Sequence, residues 1–298
     1  MVRLSGAHAL SIIGAVLLLA GCGQSQGASS PPALLPALTQ QVPRGSGEVQ
    51  YFSNYYGTYL SEFDYPKSDS QIGQMTLSGG TCTKGARTFW VVAGETEIEE
   101  FKAGGTSPIK TLTESAGLPA GCAVDATTSD LAVTILSNGD VVIFRPGSKS
   151  GTTLSSGLIE AFFDGYDTNG NLFVDGFNSD DTFQLVELPK GSSRFEAISI
   201  SSAITFPNSV QWDGTYLTMG CAQGICRYRI VGTKAILKGI VSLSADCAGY
   251  WIARPYVYCA DAGDNDGEVF KYPAGGSPIA TLTGSFDEPL GVVSLRVR

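Results

Sequence analysis

The chain has 298 residues, 43% of them hydrophobic, and carries 28 acidic against 19 basic residues for a net charge of −9. Acidity of that size repels phosphate backbones and excludes a nucleic-acid-binding role. The single histidine, His8, lies in the apolar N-terminal segment, so serine–histidine triads, cysteine–histidine pairs and histidine-ligated zinc or haem are excluded from the remainder.

In chain order, Arg3 supplies a short positive region, and Leu10 to Leu19 forms an apolar run too short for an ordinary membrane span. The run ends in Leu19-Ala20-Gly21-Cys22, which resembles the lipobox of bacterial lipoproteins. That resemblance implies a signal peptide over residues 1–21 and acylation of Cys22, so that the membrane becomes a partner through the lipid. Residues 22–48 follow as a Gln/Ser/Gly/Pro/Ala stretch without hydrophobic periodicity, which reads as a flexible tether. Glycine rather than aspartate at position 23 leans towards the outer membrane in a diderm cell. Loss of residues 1–21 leaves 18 basic against 28 acidic residues, a net charge of −10.

Beyond residue 48 helical periodicity is absent. Short runs rich in Val, Ile, Phe and Tyr are broken every eight to twelve residues by Gly, Asn, Asp or Pro, the pattern of an all-β sandwich, barrel or propeller. An internal repeat chooses among these. Phe101-Lys102-Ala103-Gly104-Gly105-Thr106-Ser107-Pro108-Ile109-Lys110-Thr111-Leu112-Thr113 returns as Tyr272-Pro273-Ala274-Gly275-Gly276-Ser277-Pro278-Ile279-Ala280-Thr281-Leu282-Thr283. An aromatic residue or leucine closes one strand of each unit at Tyr65, Phe101, Phe144, Leu188, Tyr228 and Tyr272, at spacings of 36, 43, 44, 40 and 44 residues. That is about the length of one four-stranded propeller blade.

The expected fold is therefore all-β, a six-bladed β-propeller of four-stranded blades over residues 49–298. The second blade spans Thr81 to Thr113. The third reads as Gly121 to Val124, Leu131 to Leu136, Asp140 to Phe144 and Thr152 to Leu154. The fourth reads as Ala161 to Phe163, Asn171 to Asp175, Phe183 to Leu188 and Glu196 to Ile200. The fifth reads as Ser209 to Trp212, Thr215 to Met219, Ile225 to Arg229 and Ala235 to Val241, and the sixth runs from Cys247 to Thr281. Val49 to Phe52 matches a second strand, while Pro289 to Leu295 matches a first strand. The C-terminal strand is thus expected to pair into the N-terminal blade and remove the exposed sheet edge.

With Cys22 set aside, six cysteines remain, an even number that suits an oxidising compartment and allows fifteen connectivities. Spacing favours Cys221–Cys226 across one hairpin, Cys247–Cys259 on two successive strands, and Cys82–Cys122 at similar places in adjacent repeats. Free buried thiols are the alternative.

The pattern resembles the six-bladed propellers of the NHL-repeat and gluconolactonase-like group. The residues that carry the resemblance are Pro119 to Asp125, Asn169 to Asp175 and Pro207 to Gly214, which echo its proline, inner strand, Asp/Gly turn and leucine-aromatic-valine-aspartate run. The group implies a fold that hosts many functions. Its lactonase members hold a divalent metal, often calcium, in a ring of Glu, Asn and Asp on the central axis. The matching residues are Glu160, Asn208 and Asp246. Asn208 and Asp246 each precede an aromatic residue, Trp212 and Tyr250, by four positions, whereas Glu160 is one residue out of register. Asp287 or Glu288 is what the N-terminal blade offers. The alternative is that these are solvated turn or rim residues.

The loops between second and third strands place Asn54, Tyr55, Asp175, Asn178, Asp261 and Asp264 along one expected rim, an acidic and aromatic face for an envelope protein or a small ligand. Asp264-Asn265-Asp266-Gly267 and Asp167-Thr168-Asn169-Gly170 look like the start of calcium loops but lack the EF-hand's terminal glutamate, so they read as tight turns. Gly104-Gly105 and Gly275-Gly276 lack the GK[ST] ending of a phosphate loop and also read as turns. No serine has a general base that would activate it.

The leading expectation is thus a monomeric lipoprotein of the bacterial envelope, on its periplasmic or surface side, with no confident catalytic set and a binding or scaffolding role through one rim. The rival is a calcium-type metal-dependent lactonase.

Overall fold

A computed structural model of the chain describes residues 47–54, 59–77, 79–83, 87–93, 96–202 and 204–297. Every element is a strand: β1 (Gly47–Asn54), β2 (Leu60–Phe63), β3 (Gly73–Met75), β4 (Thr81–Thr83), β5 (Thr88–Ala93), β6 (Glu97–Lys102), β7 (Lys110–Thr113) and β8 (Pro119–Val124) open the chain. They are followed by β9 (Leu131–Ile135), β10 (Asp140–Phe144), β11 (Thr152–Ser155), β12 (Glu160–Tyr166), β13 (Leu172–Phe177), β14 (Phe183–Leu188), β15 (Glu196–Ile200) and β16 (Val210–Trp212). The last eight are β17 (Leu217–Cys221), β18 (Gly224–Val231), β19 (Lys234–Ser242), β20 (Cys247–Ala253), β21 (Tyr256–Asp261), β22 (Asp266–Lys271), β23 (Ala280–Leu282) and β24 (Pro289–Val297).

Hydrogen bonding groups these strands into four four-stranded sheets and one eight-stranded sheet. The sequence leads to separate four-stranded blades, and the difference has a small physical cause. Strands β12–β15 and β16–β19 each form an antiparallel meander, but their outer strands touch through a parallel pairing of Ser199 with Lys234 and Ile200 with Ala235. That short contact merges the two meanders into one sheet.

First strands of successive sheets lie side by side and start on the same side. Asn208, just before β16, donates from Nδ2 to the carbonyl of Cys247 at the start of β20 (2.6 Å), while Gln211 near the end of β16 exchanges hydrogen bonds with Ile252 near the end of β20. Glycine allows the closest approaches. A Cβ on Gly121 would collide with the carbonyl of Phe162, and one on Gly249 with that of Leu290. The arrangement is propeller-like. We call the side carrying the starts of first strands the upper face.

Each sheet is covered on both sides by its neighbours, and this explains why second strands read as continuous apolar runs. All of Leu131–Ile135 is buried, as is Leu172 to Gly176. Hydrophobic clusters fill the gaps between consecutive sheets: Trp90, Val92 and Ile98 meet Leu131, Val133 and Phe144, and Phe52 and Val292 meet Tyr258 and Val269. Fourth strands lie outermost and are mostly exposed, as in Thr152–Ser155.

The C-terminal strand closes the N-terminal sheet as expected. Strand β24 pairs antiparallel with β1 in the order β24-β1-β2-β3, with Val49 opposite Leu295 and Phe52 opposite Val292. The internal repeat also has a structural meaning. Its two copies are the turns joining β6 to β7 and β22 to β23, where Gly104 (φ 71°) and Gly275 (φ 66°) occupy the left-handed region that favours glycine.

All three expected disulfides are present: Cys82–Cys122, Cys221–Cys226 and Cys247–Cys259. They point to an oxidising, extracytoplasmic compartment. The bridges differ in what they constrain. Cys221–Cys226 closes only a hairpin with a sequence separation of 5. In the chain-entropy account so small a loop stabilises by about 2 kcal/mol. The Cys221→Ser/Cys226→Ser double variant should therefore lower the melting temperature yet still unfold cooperatively. An unchanged melting temperature would show that this bridge adds nothing.

Candidate functional site

The lower hairpins between first and second strands are built by aspartates. The Oδ1 atoms of Asp125, Asp167 and Asp213 accept backbone N–H bonds from Thr127 (2.7 Å), Asn169 (2.8 Å) and Thr215 (2.8 Å). Asp213 goes further. Its buried Oδ2 accepts from Tyr272 Oη (2.6 Å) and Arg227 Nε (3.0 Å), with Arg254 at 3.5 Å. Burial alone would raise this carboxyl, but the Tyr272 hydroxyl, the Tyr216 and Thr215 amides and the Arg227 charge outweigh it and hold it below its ordinary range.

At the ring's interior Asp175 and Asp164 have no arginine or tyrosine partner. Asp175 lies inside β13, fully buried, rather than in the rim loop where the sequence places it. Its carboxylate fills a β-bulge of β12 by accepting from Phe163 N (2.9 Å), and reaches the next first strand by accepting from Asn208 N (3.0 Å). Thr134 occupies the same place one sheet earlier, taking the Gly121 N–H (2.7 Å) and donating to the Phe162 carbonyl (2.7 Å). Burial pushes Asp175 up to about 7, against the lowering effect of its two amide donors.

Asp164 of β12 is also buried, and neither of its carboxylate oxygens has a partner in good hydrogen-bond geometry, the Ala123 amide and its own lying only near enough to lower its carboxyl slightly. Burial and then the Asp175 charge drive its carboxyl well above the ordinary range. Its register partner is Val174, as Val210 of β16 partners Met219 and Tyr250 of β20 partners Cys259. An aspartate therefore stands where neighbouring first strands carry apolar or aromatic side chains. Tyr250 is itself buried and donates to Thr218 Oγ1 (3.0 Å).

The proposed metal ligands sit at the upper ends of three first strands. Glu160 opens β12 half-buried, its carboxyl raised by burial and by Asp181; Asn208 precedes β16; Asp246 precedes β20 and is exposed. Asn208 Oδ1 is buried without a hydrogen-bond partner. Among the described residues no three His, Cys, Asp or Glu side chains are grouped so as to hold a metal.

Of the expected rim residues, Asn54 ends β1, buried, donating to the Tyr59 carbonyl (3.0 Å) and accepting from Asp287 N (2.9 Å). Asn178 Oδ1 accepts from Asp180 N (3.0 Å), Thr182 N (3.2 Å) and Thr182 Oγ1 (2.9 Å). Asp261 Oδ1, also buried, accepts from Gly263 N (2.9 Å) and Asp264 N (3.1 Å). These three build hairpins. Asp264 is exposed at a hairpin tip beside Asp266 and Glu268, and burial together with Asp266, Asp261 and Asp264 pushes Glu268 up to about 7. Tyr55 and Cys22 lie outside the described residues.

An apolar ledge on the same face was not legible in the sequence. Phe206, between β15 and β16, is 55% exposed and meets Phe177 edge-on (6.0 Å), which meets Phe162 edge-on in turn (5.7 Å). Ile159, 40% exposed, lies beside them through its N–H bond to the Phe177 carbonyl (2.8 Å).

Fold and disulfides define an all-β, propeller-like protein of an oxidising compartment. Among solved structures the chain is similar to one from a nidogen/laminin complex, with a TM-score of 0.65 at 12% identity over 85% of this chain and 100% of that one. It is also similar to a functionally unknown protein from Desulfotomaculum acetoxidans DSM 771, with a TM-score of 0.57 at 11% identity over 85% of this chain and 100% of that one. At such identities the likeness is one of fold. No family model matches the chain, and no curated protein matches it in sequence.

Proposed function

We propose that the protein is an envelope-anchored binding module, a six-bladed β-propeller tethered by a lipid on Cys22, that engages a partner through its upper face. Six blades follow when the eight-stranded sheet is divided at β15–β19. That pairing covers two residue pairs and is parallel, and single parallel bridges of the same kind, Leu243–Gly276 and Ser70–Thr283, join other neighbouring sheets at their outer strands. The lipid anchor rests on the lipobox-like Leu19-Ala20-Gly21-Cys22, and it agrees with the oxidising compartment that the disulfides require.

The observation that carries the binding reading is the ledge of Phe206, Phe177, Phe162 and Ile159 at the upper face. Connections between strands are where a rigid ring has freedom to vary, and grouped exposed apolar side chains mark interaction sites. The fold likeness to a structure from a nidogen/laminin complex supports a protein-binding role.

A photo-crosslinking residue placed at Phe206 should give a discrete protein adduct in cells, whereas one at Lys149 on the opposite face should not. The Cys22→Ser variant should leave the membrane fraction. No adduct at Phe206, or the same adducts from both faces, would defeat the reading.

The lactonase reading has one observation in its favour, the unpartnered Asn208 Oδ1 beside Asp175. A melting temperature raised by calcium after chelator treatment, and no longer raised in Asn208→Ala, would support it; calcium without effect would remove it.

A further inference from the structure

The two faces of the ring differ in charge: the upper is acidic and the lower is mixed. Antiparallel meanders put the connections from β7 to β8, β13 to β14, β19 to β20, β21 to β22 and β23 to β24 on the upper face. These carry Glu114, Asp180, Asp181, Asp246, Asp264, Asp287 and Glu288, while the described connections of this face contain no lysine or arginine. Lower connections hold Lys67, Arg87, Arg145, Lys149, Lys190, Arg194 and Arg254 beside Asp64, Asp69, Asp125, Asp130, Asp167 and Asp213, so that face mixes both signs. The described ion pairs follow that division. Arg227 and Arg254 meet Asp213, and Arg296 meets Glu48, all at or towards the lower side. Glu160, Asp266 and Glu268 are instead raised by burial and then by neighbouring acids.

The apolar ledge sits inside this field. Glu160 is the register partner of Phe177, Asp181 acts on Glu160, and Asp180 and Asp181 occupy the hairpin that follows Phe177. A face with grouped acids and no internal counter-charge attracts cations and rejects anionic lipid and nucleic acid. Four grouped apolar side chains have no use for a bare ion or a small amine, but they match an apolar anchor carried on a polypeptide. The exposed Phe206 ring, with Phe177 and Phe162 half-buried beside it, also accepts the flat or methylene parts of arginine and lysine.

We propose that the upper face docks a basic polypeptide segment of a partner protein, with an apolar residue on the Phe206–Phe177–Phe162 ledge and its lysines or arginines towards Glu160, Asp180 and Asp181. The proposal rests on the binding-module reading and names the chemistry of its partner. Complementary charge of this kind speeds encounter and weakens with salt.

The test uses two probes on the full-length protein. A short peptide alternating lysine with leucine should bind at low salt and weaken at high salt, and its glutamate–leucine counterpart should not bind. Asp180→Asn/Asp181→Asn and Phe206→Ala should each weaken the lysine peptide by about tenfold, while Asp69→Asn on the lower face leaves it unchanged. These side chains are exposed and the hairpin amides remain in place, so the variants keep the fold. Spermine binding as tightly as the peptide, without dependence on Phe206, would overturn the proposal in favour of a small polyamine. Binding of phosphatidylglycerol vesicles that is lost in Phe206→Ala would overturn it in favour of a membrane. The second probe is the segment crosslinked at Phe206, sequenced by mass spectrometry. A basic segment upholds the proposal, and an acidic or uncharged one overturns it while the binding module stands. Absence of any adduct defeats the binding module itself.

Discussion

Replacing Asp164 by valine is expected to make the protein more stable at neutral pH and to flatten the dependence of its stability on pH. Both carboxyls of the interior pair are raised, so the folded state holds protons that the unfolded state has released. Where the folded state binds more protons, stability falls as pH rises. The contribution is unpenalised below the unfolded value near 4, declines as pH rises, and reaches its full cost above the folded value. For Asp175, raised from 3.8 to about 7, the cost is on the order of 4 kcal/mol. Asp175 ionises first and its charge keeps the proton on Asp164, so Asp164 extends the decline towards higher pH. Valine is the residue at the equivalent position of β16, where Val210 pairs with Met219. The larger side chain costs roughly 1–3 kcal/mol in a packed site, and relief of the Asp164 burial penalty at pH 7 outweighs it. Denaturant unfolding from pH 4 to pH 8 on both proteins checks this. A variant less stable than the parent at pH 7, or an unaltered pH profile, would show that Asp164 has a partner that stabilises its charge.

Asp175→Asn provides the contrasting case. It removes the charge but also replaces an oxygen that accepts a buried amide, either from Phe163 or from Asn208. Its pH dependence should shrink without the stability gain, because an orphaned buried donor costs about 1–3 kcal/mol. The two aspartates are thus separable by whether their oxygens are employed.

That distinction also explains what the sequence conceals. Asp125, Asp167 and Asp213 follow first strands and are followed by turn residues, and each builds the hairpin its position suggests. Strands such as Leu131–Ile135 are legible because burial on both faces writes an apolar run interrupted only by Thr134. An aspartate inside such a run carries no mark of its own. Asp175 closes a readable strand and looks like the beginning of a loop, whereas the chain continues as strand through Gly176 and Phe177. One signal was available: Thr134 and Asp175 fall at the same place in their runs, which points to a side chain that bonds backbone across the bulge. Asn54, Asn178 and Asp261 were placed on a rim by their position after second strands, and hydrogen bonds to neighbouring amides and carbonyls turn them to building it. The charge division between the faces was invisible for another reason. Acids and bases are mixed along the chain, and only strand direction shows that the lysines and arginines of the described connections all fall on the lower face.

Deleting residues 289–298 is expected to abolish cooperative folding, the largest effect of any single change considered. The segment contains β24, which pairs along the whole of β1 and contributes buried Val292, Val293 and Leu295. Val293 and Leu295 pack with Phe89, Val91 and Phe101 of the following sheet, while Val292 packs with Tyr258 and Val269 of the preceding one. Burial of three such side chains is worth roughly 1.5–3 kcal/mol each. With the β1 ladder added, the loss rivals the whole stability of an ordinary domain, about 5–15 kcal/mol. It would also expose β1 as an unpaired edge, a template for aggregation. Truncation also shortens the chain, so the decisive comparison is a circular permutant. Gly47 is the register partner of Val297, which brings the ends of the seam together, and Gly147 lies in an exposed turn between β10 and β11. A permutant joined from residue 297 to residue 47 by a short linker and opened at Gly147 keeps every strand and only moves the break. It should melt within a few degrees of the parent, because a ring held by pairing has no preferred place to begin. A truncated protein that melts normally, or a permutant that does not fold, would mean that β24 does not close the ring as its register with β1 requires.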